Sequence, residues 1–299
     1  MTRRLLILSL VTLALSGSGP DAGTAAGSLF IVGGGGQTPE MVERFVELAG
    51  GRGKARIVVI PLASSDPAEA GQGKADDLKA LGAEVTVLVV SRQEAMSDTT
   101  ASRLSDATGV WFTGGDQVRL TDILLGTPTL VAIRNRYASG AVLGGTSAGA
   151  AIMSDSMITG NQYRLPPDTN GYYGDEFPQI ARKSIEIVPG FGFLPGTIVD
   201  QHFIARERHN RLLSAVLERP GMIGVGIDES TALEVEPDGT WRVVGAGSVV
   251  IYDARRAQIT PPGAPLLGAT GIQTHILPSG SHYDPVRGRA QLPPQTSSR

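Results

Sequence analysis

Short apolar runs alternate with longer amphipathic segments along most of the chain from Ser28 onward. The apolar runs occupy residues 29–32, 57–60, 85–90, 110–113, 141–143 and 197–199. Continuous apolar runs of this kind are typical of strands that are covered on both faces. Helical patterns lie between them, at residues 39–48, 75–81, 120–137 and 207–217. This alternation predicts an α/β fold built on a doubly wound, mostly parallel sheet.

The pattern changes to closely spaced β-type runs after residue 221. These runs occupy residues 223–227, 231–235, 242–244 and 248–252, and Asp238-Gly239 supplies a hairpin turn between two of them. The sheet is therefore expected to end in antiparallel hairpins. Residues 257–299 are rich in Pro, Gly, Ser and Gln, which predicts an irregular tail on the surface. No linker-like composition divides residues 28–256, so we predict one domain there.

The N-terminal segment has the order of features found in a signal peptide. Arg3 and Arg4 precede an apolar run at residues 5–15, and the small residues Ala25 and Ala26 follow. The alternative, a buried N-terminal strand or helix, gives no reason for this order. We therefore predict a signal peptide over residues 1–27 and a soluble, secreted or periplasmic mature protein. No second apolar segment is long enough to predict a membrane span.

Composition narrows the chemistry that the chain can support. Its 299 residues carry a formal charge of -3 without a long run of Lys or Arg, which argues against a nucleic-acid partner. It contains no cysteine, which excludes thiol nucleophiles, disulfides and zinc sites with Cys ligands. Covalent catalysis would therefore need an oxygen or nitrogen nucleophile.

The candidate nucleophile is Ser147. It lies in Gly145-Thr146-Ser147-Ala148-Gly149, between an apolar run and a segment compatible with a helix. This is the G-x-S-x-G pattern in a strand, turn and helix context, where small neighbours permit a sharp turn that exposes the serine hydroxyl. The alternative is a turn rich in Gly and Ala in which the serine only caps a helix.

A serine nucleophile needs a base, and the chain has four histidines. His202 follows the apolar run at residues 197–199, which places it at the carboxyl end of a strand, where ligands bind in open α/β sheets. His209 lies at the charged start of a helix, and His275 and His282 lie in the tail. His202 is therefore the candidate base, and a hydrogen-bonded core histidine is the alternative.

Other polar residues follow predicted strands. Gly114-Gly115-Asp116-Gln117 combines glycines, whose N–H groups can face an oxyanion, with polar side chains that can bind substrate, although a Gly-Gly turn before an Asp helix cap explains it equally well. Asp228 and Glu229 are likewise either substrate ligands or turn residues. The Gly33–Gly36 run lacks a nucleotide-binding motif, so we interpret it as a tight turn near the active site.

These motifs, in this order, resemble those of the cyanophycinases, a family within the peptidase E-like serine peptidases whose fold is related to the class I glutamine amidotransferases. The resemblance runs from about residue 29 to residue 256. It implies that Ser147 is the nucleophile, that His202 is the base, and that the N–H groups of Gly115 and Ala148 form the oxyanion hole. It also implies a set of substrate-binding residues, namely Asp116, Gln117, Asp200, Gln201, Arg206, Arg208, Arg211 and Glu229.

The third member of the implied triad is a glutamate between the serine and the histidine. The matching segment here is Gly174-Asp175-Glu176-Phe177-Pro178, so Glu176 is the first choice and Asp175 the second. An insertion at residues 163–173 precedes this segment and departs from the family pattern.

The resemblance also implies an activity. Cyanophycinases cleave cyanophycin, a polyaspartate that carries arginine on its β-carboxyls, into β-aspartyl-arginine dipeptides. It implies an exopeptidase that forms an acyl-enzyme, acts as a homodimer and needs no metal or organic cofactor. The alternatives are a peptidase E-like α-aspartyl dipeptidase and a non-catalytic, amidotransferase-like binding protein.

Overall fold

The computed structural model describes residues 27–163, 179–264 and 266–294. The strands are β1 (Leu29–Val32), β2 (Arg56–Ile60), β3 (Glu84–Val87), β4 (Gly109–Phe112), β5 (Val142–Thr146), β6 (Ser156–Gln162), β7 (Ile185–Pro189), β8 (Thr197–Gln201), β9 (Ile223–Ile227), β10 (Thr231–Val235), β11 (Trp241–Gly245), β12 (Ser248–Asp253), β13 (Gln258–Ile259), β14 (Ala269–Thr270), β15 (Gln273–Pro278), β16 (His282–Asp284) and β17 (Arg289–Gln291). The helices are α1 (Pro39–Leu48), α2 (Pro67–Ala80), α3 (Arg92–Ala95), α4 (Asp98–Ser102), α5 (Gln117–Leu124), α6 (Pro128–Ala138), α7 (Ala148–Ala151) and α8 (His209–Glu218).

The main sheet has nine strands in the order β17-β16-β11-β10-β1-β5-β4-β2-β3. Its half from β1 to β3 is parallel, whereas β10, β11, β16 and β17 pair in antiparallel fashion. Helices cover both faces: Phe45 of α1 and Leu78 of α2 pack on one side, and Leu120 of α5 and Ile133 of α6 pack on the other. The predicted doubly wound α/β fold with antiparallel strands at its end is confirmed.

Three of the predicted strands, β8, β9 and β12, lie in a separate sheet. The order of this four-stranded sheet is β15-β12-β9-β8, with β8 and β9 parallel. It meets the main sheet at the carboxyl ends of β1 and β8, where the His202 N–H donates to the Gly33 carbonyl at 2.7 Å. The carboxyl ends of strands from two sheets therefore share one edge, which the apolar pattern alone did not predict.

The helical segment predicted at residues 120–137 is two helices. Pro128 lacks a backbone N–H and cannot continue α5, so a new helix begins there with Thr127 as its cap. Gly126 adopts a positive φ of 74° in the turn between them. By contrast, α1 spans the predicted residues, with Thr38 accepting a hydrogen bond at its start.

The prediction of an irregular tail after residue 256 was wrong. β15 pairs along its length with β12, and β16 extends the main sheet by pairing with β11. Leu277 and Tyr283 are 1% exposed, and the Tyr283 ring lies 5.4 Å from that of Trp241. These strands add to the core although their sequence is rich in turn-forming residues.

Parts of the sequence-based predictions fall outside the described residues. These are residues 1–26, which include most of the predicted signal peptide, and residues 164–178, which include Asp175 and Glu176. Within the described ranges, no helix combines the length and the apolar character that a membrane span requires. The Ser28 carbonyl accepts a hydrogen bond from Leu143 at 3.0 Å, so the folded domain begins no later than Ser28.

The packing of the C-terminal strands can be tested by substitution. We expect Tyr283→Ala to lower the free energy of unfolding by about 3 kcal/mol or more, because it removes a buried ring from the core. Val286→Ala is the control, since Val286 is 87% exposed, and it should change stability by less than about 0.5 kcal/mol. Urea denaturation measures both. Equal, small effects would show that the C-terminal strands do not pack as described.

Candidate active site

Ser147 lies on a sharp turn between β5 and α7. Its φ of 54° is unusual for a residue with a side chain, and its N–H donates to the Val32 carbonyl of β1 at 3.0 Å. A Cβ atom at Gly145 would overlap the Gly149 backbone, and one at Gly149 would overlap the Phe112 carbonyl. Glycine is therefore required at both positions, as expected for the tight strand-to-helix turn that exposes a serine nucleophile.

His202 faces Ser147 from the other sheet. It follows β8 directly, with a φ of 49°, and its Nε2 lies 2.9 Å from Oγ of Ser147. The side chain is 10% exposed. The serine hydroxyl and the imidazole are thus within hydrogen-bond distance in one cleft, which is the geometry that serine catalysis needs.

The carboxylate that contacts His202 is Glu229, and this differs from the sequence-based assignment. Its Oε1 lies 2.6 Å from Nδ1 of His202. We expected Glu229 to bind substrate and Glu176 to complete the triad, but Glu176 lies outside the described residues. Glu229 follows β9, the parallel neighbour of β8, so both residues emerge at the same sheet edge.

The hydrogen-bond partners define the protonation of His202. An ionised carboxylate only accepts, so Nδ1 carries the proton and Nε2 is left to accept from the Ser147 hydroxyl. Burial lowers the pKa of His202 from its ordinary value, more than the bond to Glu229 raises it, and the charges of Arg206 and Arg208 lower it further. His202 is therefore unprotonated at neutral pH, the form that a general base requires.

The backbone around Ser147 offers donors for an oxyanion. Ala148 is the first residue of α7, where an N–H group has no acceptor within the helix. A Cβ atom at Gly114 would lie 3.4 Å from Cβ of Ser147, so the Gly114–Gly115 turn runs beside the serine. Gly115 has a φ of 136°, and a Cβ atom there would overlap the Ala63 carbonyl. The predicted pair, Gly115 and Ala148, therefore flanks Ser147.

The Gly33–Gly36 turn packs against the histidine and its carboxylate, in agreement with the predicted tight turn near the active site. A Cβ atom at Gly34 would overlap the His202 ring, and one at Gly35 would lie 2.8 Å from Cβ of Glu229. The Gly34 carbonyl accepts from the Ser230 N–H at 2.9 Å. This turn therefore forms the wall against which His202 and Glu229 rest.

Several predicted substrate ligands are buried behind His202 and bond to one another. Nε of Arg211 donates to Oδ2 of Asp200 at 2.7 Å, and Nη2 of Arg211 donates to Oδ1 of the same carboxylate. Both side chains are at most 3% exposed. Arg208 donates to Oε1 of Gln201 at 2.5 Å. In this structure these pairs fix the segment that carries His202, and their role as substrate ligands stays a prediction.

The remaining predicted ligands differ in exposure. Gln117 is buried and donates its amide to the carbonyls of Ile158 and Thr159, both at 2.8 Å. Asp116 caps α5 through the Val118 N–H, as the helix-cap alternative proposed, and is exposed beside Gly115. Arg206 is also exposed, four residues beyond His202. Asp116 and Arg206 thus place a negative and a positive charge at the cleft.

Asp228 is a further contributor to the site that sequence reasoning left undecided. Its Oδ1 accepts from the N–H groups of Ile204 and Ala205, at 3.1 and 2.9 Å. It therefore holds the turn that follows His202. The sequence feature that pointed to both Asp228 and Glu229 was their position after an apolar strand, at the sheet edge where His202 was expected.

Known proteins match most of this chain in sequence and in fold. Residues 29–243 match the sequence profile of peptidase family S51. A cyanophycinase from Synechococcus elongatus is 37% identical over 267 residues, covering 85% of this chain and 78% of that protein. A cyanophycinase from Geminocystis herdmanii is 35% identical over 252 residues, covering 82% and 88% of the two chains. The crystal structure of a peptidase from an acI-B1 Actinobacterium has a TM-score of 0.59 and 26% identity, covering 85% of this chain and 98% of that one.

Substitution of the two candidate carboxylates separates their roles. We expect Glu229→Gln to lower kcat by roughly 10²- to 10⁴-fold, because an amide cannot stabilise the imidazolium that forms during catalysis. Glu176→Gln should change kcat by no more than about twofold. Steady-state hydrolysis measures both. A large loss in Glu176→Gln with none in Glu229→Gln would restore the assignment made from sequence.

Proposed function

The chain belongs to peptidase family S51, and from that premise we propose that it is a serine peptidase that hydrolyses cyanophycin to β-aspartyl-arginine dipeptides. The observation that carries the proposal is the contact series in which Ser147 Oγ lies 2.9 Å from His202 and His202 lies 2.6 Å from Glu229. The substrate is inferred from two relatives named as cyanophycinases, of which this chain covers 78% and 88%.

The chemistry follows from the protonation of the site. His202 accepts the Ser147 proton through Nε2 while Oγ attacks an aspartyl carbonyl carbon of the substrate backbone. The carbonyl oxygen becomes an oxyanion facing the N–H groups of Gly115 and Ala148, and each such donor is worth on the order of 3 kcal/mol. His202 then returns the proton to the leaving amine, and water, activated by the same histidine, releases the acyl group.

The cleft carries one negative and one positive side chain, which suits a substrate that itself carries both positive and negative charges. Each arginine of cyanophycin presents a guanidinium and a carboxylate to the enzyme. The exposed Asp116 can pair with the guanidinium, and the exposed Arg206 with the carboxylate. A peptide without arginine would offer no guanidinium to Asp116. This arrangement favours cyanophycin over a simple α-aspartyl dipeptide.

Product analysis tests the proposal. After incubation with cyanophycin, mass spectrometry should detect β-aspartyl-arginine with the wild-type enzyme and none above background with Ser147→Ala. A panel of α-aspartyl peptides serves as the comparison substrate. Cleavage of the panel with no release from cyanophycin would favour the α-aspartyl dipeptidase, and folded protein that a fluorophosphonate does not label at Ser147 would favour the binding protein.

We also propose that the N-terminal segment directs export of the chain and is removed from the mature protein. The basic residues followed by an apolar run support this. Because Ser28 bonds to β5, we expect a mature N-terminus no later than residue 28. N-terminal sequencing of protein secreted by an expressing host would show this, and recovery of only the full-length chain in the cytoplasm would contradict it. The homodimer that the resemblance implies stays a prediction.

A further inference from the structure

Lys74 is a buried cation outside the serine, histidine and glutamate series. It lies in the middle of α2 and is 8% exposed. Its Nζ lies 4.4 Å from the centroid of the Trp111 ring on β4 and donates to Oε1 of Gln37 at 2.7 Å. Burial of an ammonium group costs free energy, and these two contacts offset part of that cost. We therefore asked what the lysine contributes to the site.

Gln37 connects Lys74 to the catalytic cleft. It follows Gly33–Gly36, the turn that forms the wall behind His202 and Glu229. Glycines at 34 and 35 have φ values of 118° and 67°, and such a run has more conformational freedom than any other sequence. Backbone hydrogen bonds hold the first half of the turn, because the Gly33 carbonyl accepts from His202 and the Gly34 carbonyl accepts from Ser230. The bond from Lys74 to Gln37 holds the C-terminal side of the turn.

α2 is a rigid support for this bond. Gly71, one turn before Lys74, packs so closely that a Cβ atom there would lie 2.6 Å from Val87 and 3.0 Å from Pro61. Trp111 in turn packs against Gly144 of β5, the strand that leads to Ser147. Lys74 thus joins the strands beneath the serine to the turn beside the histidine.

We infer that Lys74 is a positioning residue: its ammonium group holds Gln37 and thereby the Gly33–Gly36 turn, which sets the distance between His202 and Ser147. The inference rests on the proposed serine chemistry but not on the identity of the substrate. Its effect should appear in the reactivity of Ser147, whereas a lysine that only joins α2 to its neighbours would affect stability alone.

The charge of Lys74 is available over a limited pH range. Burial lowers the pKa of Lys74 to about 8, against an opposing effect of Asp77 on the same helix. Gln37 and Trp111, the partners from the turn and from β4, are uncharged. The ammonium form is therefore present below about pH 8 and is lost as the pH rises through that value.

The rate at which a fluorophosphonate labels Ser147 tests the inference without any peptide substrate. We expect Lys74→Met, which keeps the apolar stem, to slow labelling about tenfold through misplacement of the base. Gln37→Leu should slow it similarly, and the double variant should be little slower than either single one. Lys79→Met is the control, because Lys79 is exposed on the same helix, and it should label at the wild-type rate.

The pH dependence separates positioning from a structural role. Wild-type labelling should fall as the pH rises above about 8, whereas Lys74→Arg, which keeps its charge, should not fall there. Lys74→Met and Gln37→Leu labelling at the wild-type rate, with melting temperatures lowered or not, would overturn the inference. Absence of labelling in the wild type would instead overturn the proposed serine chemistry. If Lys74→Met does not fold, Gln37→Leu alone decides.

Discussion

The site depends on the two hydrogen bonds of the His202 imidazole, because they join groups from two separate sheets. Ser147 is carried by the main sheet, whereas His202 and Glu229 follow strands of the four-stranded sheet. Neither sheet alone holds a catalytic arrangement. The two sheets must therefore keep a fixed relative position at the edge where they meet, and much of the surrounding structure holds that position.

Close backbone packing is the main device that holds this edge. Ser147 and His202 both adopt positive φ values, which cost free energy and persist only where neighbours enforce them. Gly34 and Gly149 enforce them by bringing backbone to within contact of the histidine ring and of β4, where no side chain fits. The buried pair of Asp200 and Arg211 then fixes the strand end that carries His202.

The sequence predicted most of the fold because apolar runs and helix caps act locally. β1, β9 and α1 lie where the pattern placed them, and the serine turn has the strand and helix expected on either side. The glycine run after β1, interpreted as a tight turn because it lacks a nucleotide-binding motif, lies against the active site.

The errors share a physical cause, which is that long-range pairing overrides local composition. Residues 273–278 form a strand because they pair with the edge of β12, although the segment around them is rich in turn-forming residues. Glu229 was assigned to substrate because the family resemblance implied a triad carboxylate between the serine and the histidine. Its true neighbour is set by the parallel pairing of β8 with β9, which places residues 27 positions apart side by side. A local pattern does not contain that information.

A crystal structure of the protein after reaction with a fluorophosphonate tests the central claim most directly. The account predicts phosphorus bonded to Ser147 Oγ, with an oxygen at about 2.7–3.1 Å from the N–H nitrogens of Gly115 and Ala148. It also predicts that His202 bridges the modified serine and Glu229. An oxygen directed away from both N–H groups, or a His202 ring paired with a different carboxylate, would contradict it.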